Sequence, residues 1–137
     1  MASPKAKQKL FDLDQANRTL PLVSRIVDDI VRVNGQIWIL HEEAEKLVSE
    51  GSKERAEELQ DQMQDRAYER AEFVDELEKI GCVLKDADGG LVDFPTRLEG
   101  RVVLLCWKRG ESEISFWHDL TAGFRGRQPV EGLEFSS

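Results

Sequence analysis

Between Cys106 and Pro129 the chain reads CWKRGESEISFWHDLTAGFRGRQP. This stretch holds two of the three tryptophans, one of the two histidines, one of the two cysteines and four basic residues. A cysteine nucleophile needs a histidine within hydrogen-bond reach and a third group to orient it. Whether Cys106 and His118 meet depends on the hairpin that joins them. A loop of two or four residues sets Cys106 opposite Glu113 and Val102 opposite Trp117. A loop of three or five residues slips the strands by one, and Cys106 then shares a face with His118. Both registers stay open at this level. No orienting group stands nearby, so Cys106 reads as a small buried apolar residue.

His118 ends a strand beside Asp119, just ahead of a glycine loop, where binding groups are commonly carried. A metal needs about three ligands. His118, Asp119, Glu113 and Cys106 have suitable chemistry but no recognised ligand spacing, so no cofactor is expected. His41 lies among glutamates but lacks the Glu-x-x-His repeat of di-iron bundles. Phe124-Arg125-Gly126-Arg127-Gln128-Pro129 offers two guanidinium forks and glycine-freed amides, which suit a phosphate or carboxylate. The competing expectation is that these arginines pin the tail to the acidic helices. The candidate ligand site is Arg125, Arg127, His118 and Asp119, with Asn17 and Arg18 from the helix start and Trp107 as an aromatic wall. Otherwise Trp107, Phe116, Trp117 and Phe124 are core.

The elements that position these residues follow from periodicity. Residues 1–10 read as a disordered tail without the apolar run of a signal peptide. Asp14 is the expected N-cap of a helix over about 15–49, irregular near Pro21, with Phe11 or Leu13 as a staple. Leu20, Val23, Val27, Ile30, Asn34, Ile37, His41, Ala44 and Val48 step by three and four along a heptad seam. Gly51 and Ser52 end that helix and cap the next, over about 53–80. The short linker dictates an antiparallel hairpin. After Gly81 the period becomes two. Strands are expected at 82–85, 91–94 (closed by Pro95), 102–107 and 113–118, with an irregular tail over 129–137.

The expected fold is therefore α+β: a long antiparallel helical hairpin over 11–81, then a small antiparallel sheet packed on one end of it over 82–128. The sheet is too short to cover a 28-residue helix of roughly 42 Å. The uncovered apolar stripe predicts a homodimer through the helices, with Asn34 and His41 setting its register. The formal charge is −8, and residues 41–80 alone carry 14 acids against 6 bases. That excess disfavours nucleic acid. Residues 97–137 balance, with 6 of each, so an anionic ligand is welcome only there. No run reaches the roughly 20 apolar residues of a membrane span. Two cysteines fit free thiols in a reducing cytoplasm.

FDLDQANRTLPLV near the start and LVDFPTRLEGRVVLLCWKRGESEISFWHDLTAGFRGRQPV near the end resemble the domain-of-unknown-function 2203 family of small bacterial and archaeal proteins. The resemblance spans most of the chain. Its most specific part runs from Asp93-Phe94-Pro95 through Leu105-Cys106-Trp107 and Trp117-His118 to Gly126-Arg127-Gln128-Pro129. It implies a stand-alone cytoplasmic domain of prokaryotic type. The family has no assigned activity, so the resemblance supplies no catalytic residue. The functional expectation is a self-associating, non-enzymatic module for a small anion or an acidic partner segment. The alternatives are a metal-binding protein or metal-dependent enzyme centred on His118, and a structural coiled-coil adaptor.

Overall fold

The computed structural model describes residues 8–137; most of the tail expected over 1–10 lies outside them. Helix α1, Leu13–Ser49, begins two residues earlier than expected, because Asp12 rather than Asp14 caps it. The Asp12 side chain accepts from the Gln15 amide, and the Gln15 side chain accepts from the Asp12 amide. This reciprocal box satisfies two of the free amides of the first turn. Phe11, just ahead of the cap, is buried edge-on against Phe94, their rings 5.4 Å apart. The helix runs through Pro21. Helix α2, Lys53–Ile80, returns antiparallel and ends at Gly81 in a left-handed conformation.

Strands β1 (Val83–Asp86), β2 (Leu91–Leu98), β3 (Arg101–Lys108), β4 (Phe116–His118) and β5 (Gln128–Pro129) lie side by side in that order. Strand β6 (Phe135–Ser136) pairs with the far end of β2. All pairings are antiparallel. The fold class is that expected: a helical hairpin with a small antiparallel sheet. Three details differ. Strand β2 does not stop at Pro95. That residue sits where β1 has ended and β6 has not begun, and its carbonyl accepts from Phe11 N–H at 2.8 Å. A proline facing that gap withholds no ladder donor. Glu99 and Gly100, both at positive φ, then turn β2 into β3 as a two-residue hairpin. Third, the tail expected to be irregular supplies β5 and β6.

The core lies between the first half of α1 and one face of the sheet. Leu20, Val23, Val27 and Ile30 pack with Val92, Phe94, Val103, Leu105, Trp107 and Trp117, and Leu77 of α2 joins them. Gly90 lets the β1–β2 turn close onto this layer. It takes φ +73°, and a Cβ there would lie 2.9 Å from Val27 Cγ1 and 2.8 Å from Arg109 Cβ. Beyond Trp38 the two helices leave the sheet behind, and among the described residues Ala44 and Ala56 are the buried apolar residues of the arm.

Candidate functional site

The sheet divides the candidate residues into two groups. In β2 and β3 the register pairs Asp93 with Cys106 and Pro95 with Leu104. In β3 and β4 it pairs Cys106 with Phe116 and Leu104 with His118. Alternation therefore sets Asp93, Cys106, Leu104, Phe116 and His118 on the face turned away from the helices. Of the two registers left open, this is the one in which Cys106 and His118 share a face. The connection is longer than either loop considered, because β4 begins only at Phe116. Asn17 holds that connection, its Oδ1 accepting from Ile114 N–H at 2.8 Å.

On this outer face, Asp93, Cys106 and His118 are all buried. His118 Nε2 lies 3.0 Å from Asp93 Oδ1, and Nδ1 lies 2.7 Å from the Asp119 carbonyl. A carbonyl only accepts, so Nδ1 carries hydrogen. One further proton is then shared between Nε2 and Oδ1. Asp93 Oδ2 is buried and has no hydrogen-bond partner. Burial, reinforced by the Asp93 charge, pushes the Cys106 thiol up to about 11. Cys106 therefore stays protonated near neutral pH, and neither ring nitrogen of His118 is free to take its proton. The arrangement does not activate a cysteine nucleophile.

Arg127 closes the same face. Its guanidinium lies 4.2 Å from the Phe116 ring centre and 4.7 Å from that of Phe124. Nη2 donates to Glu111 Oε1 at 2.6 Å and to the Cys106 carbonyl at 3.1 Å. Burial works against its charge, but the Glu111 carboxylate and Cys106 more than offset this and hold its pKa above the ordinary arginine value. Glu111 Oε1 also accepts from Lys108 N–H at 2.7 Å, so one carboxylate ties the β3 turn to the tail. Arg125 stays exposed in a 3-10 turn, Phe124–Gly126. The Asp119 side chain pairs with Arg101, so Asp119 offers His118 only its carbonyl.

The second group lies on the inner side. Asn17, Trp107 and Glu113 line an open cleft of about 540 Å³ with Asp14 and Glu111. Arg18 is exposed and pairs with Asp14 across one helical turn. This cleft is acid-lined, and Glu113 stands apart from Cys106 and His118. The candidate residues thus do not form one pocket. Asp93 was missed as a site residue. Its signal was an acid set among Leu91, Val92, Phe94 and Pro95, since a charge in an apolar strand needs a partner.

A third feature belongs to the arm. Where it leaves the sheet, Asn34 donates to Asp88 and accepts from Arg70 Nη1 at 2.5 Å, and Trp38 Nε1 donates to Asp88 at 3.0 Å. Asn34 is thereby occupied within its own chain. From there an open groove runs between α1 and α2, in three adjoining depressions that share His41, Val48 and Gln60. Ala44 and Ala56 form its floor; Trp38 and Val48 flank it and are 54% and 51% exposed.

A helical hairpin carrying a small antiparallel sheet, with a buried Asp–Cys–His cluster, defines the class. The family model described as uncharacterized conserved protein, DUF2203, matches residues 9–130, and the chain belongs to that family. No curated protein and no solved structure matches it. Among the described residues, no helix is long and apolar enough to cross a membrane.

Proposed function

We propose that the protein is a non-enzymatic, self-associating binding module whose helical arm takes a second copy of itself. The observation that carries this reading is the groove along the arm, apolar at its floor and running from the β1–β2 turn out past the sheet. Two amphipathic helices bury too little on their own; four, packed as a bundle, close the apolar faces. The groove is also self-complementary in size, with a floor of alanines between large flanking side chains. An antiparallel two-fold pairing of α1 centred near residue 43 sets Trp38 of one copy against Val48 of the other, and His41 against Glu45. The acidic flanks then lie outermost, where salt screens them.

The ligand half of this reading has narrower support. Arg127 spends its Nη2 on Glu111 and the Cys106 carbonyl and is mostly buried, so of the two tail arginines the exposed Arg125 is the one offered to a small anion or acidic segment. A prokaryotic cytoplasm is the proposed setting, because the two cysteines are buried free thiols. The test is native mass spectrometry of the full chain beside the double variant Trp38→Glu, Val48→Glu. Both side chains are about half exposed, and because Trp38→Glu gives up the bond to Asp88, an unchanged helical circular dichroism shows that the variant monomer is folded. We expect a dimer that the double variant converts to monomer; a wild-type monomer at micromolar concentration would refute the reading.

A further inference from the structure

The arm makes no use of the buried cluster on the sheet. We propose that Asp93, Cys106 and His118 form a site for a borderline-soft divalent transition ion of the zinc and cobalt class. One carboxylate oxygen, the thiol sulfur and one imidazole nitrogen lie within 4.8 Å of one another, on three adjacent strands. Ligands around a tetrahedral ion, each about 2.0–2.3 Å from it, stand roughly 3.3–3.8 Å apart, so the cluster has to tighten by up to about 1 Å to hold one. Small side-chain adjustments bring all three to a common centre.

Three further features point to an ion. His118 is oriented as a ligating histidine commonly is, its Nδ1–H held by a backbone carbonyl and its Nε2 aimed into the cluster. Asp93 Oδ2 is buried without a hydrogen-bond partner, and the charged neighbour it lacks would be supplied by a cation held among these three side chains. The charges also close. A thiolate, a carboxylate and a neutral imidazole sum to −2, which a divalent ion cancels inside a dry face. Binding releases two protons, one from the thiol and one from the His118–Asp93 hydrogen bond. The sulfur argues against magnesium and calcium, which take oxygen ligands. Three protein donors leave a fourth position for water or a small ligand, as in sites that are not purely structural.

No donor is exposed, so the ion is loaded in two ways: by incubating native protein, and by refolding from urea with one equivalent of cobalt(II) chloride. The readouts are the near-ultraviolet thiolate-to-cobalt band and the visible bands of a tetrahedral ion. Cys82 is the internal control, because it donates to the Leu77 carbonyl at the end of α2, away from the cluster. The expected result is a band that saturates at one equivalent, persists in Cys82→Ser and disappears in Cys106→Ser. His118→Ala is expected to weaken cobalt affinity by about 100-fold, at the upper end of what losing a mere supporting partner costs. Absence of the band in wild type under both loadings overturns the proposal, as does a band that survives Cys106→Ser. Should Cys106→Ser fail to fold, Cys82→Ser decides, since Cys106 is then the single thiol: a full band supports the site and a missing band overturns it. The arm can fail its own test without touching this one.

Discussion

Replacing Arg127 by alanine separates a structural arginine from a ligand-binding one. The side chain is 11% exposed, its partner Glu111 is 25% exposed, and the pair meets at 2.6 Å. A charge-assisted hydrogen bond this sheltered contributes about 1.5–3 kcal/mol. Two aromatic faces at cation distance add about 0.5–1 kcal/mol each. The buried Nε–H lacks a partner, and its removal returns part of that sum. The net expectation is a loss of about 3 kcal/mol. In a domain of this size that is on the order of 10 °C in Tm. The assay is urea denaturation followed by tryptophan fluorescence. Arg127→Lys is expected to recover less than half the loss, because an ammonium keeps the charge but neither the fork nor the stacking plane. Arg127→Ala with a change below about 0.5 kcal/mol, the range of ordinary surface substitutions, would refute the structural account. It would return Arg127 to the list of residues free to bind an anion.

Two further outcomes follow from the core. Burial pushes the Cys82 thiol from 9.0 up to about 12. At pH 8 its thiolate fraction in the native state is roughly a thousandfold below that of an unfolded cysteine, and labelling by a thiol reagent should slow at least that much; native labelling within tenfold of the urea-unfolded rate would contradict it. Because the fold favours the neutral thiols, their contribution is complete below pH 9 and declines as pH rises through about 11 for Cys106 and about 12 for Cys82. Gly90→Ala should destabilise by at least about 2 kcal/mol, since it combines positive φ with contacts to Val27 and Arg109; a Tm within 2–3 °C of wild type would show that the turn can move aside.

What the chain determines by itself is what depends on near neighbours. Helical periodicity over Leu20–Val48, the Gly51 and Gly81 stops and the change to period two after residue 81 specify the hairpin and the sheet. Each of these acts within one or two turns of chain. The N-cap shifted from Asp14 to Asp12 for a reason equally local, the Gln15 that completes the box. Tertiary structure decided the site. A strand's side chains alternate, so a slip of one residue turns His118 from one face to the other. The register was settled by groups far off in sequence. Asn17 bonds the Ile114 amide across 97 positions, and Glu111 holds Arg127 across 16. Asp93 joins His118 across 25 positions and an intervening strand, and no spacing motif encodes that distance. Pro95 reads as a strand end until the gap between β1 and β6 shows why its missing N–H costs nothing there. Which polar residues converge is decided by sheet pairing, because only pairing converts alternation along each strand into neighbours across strands.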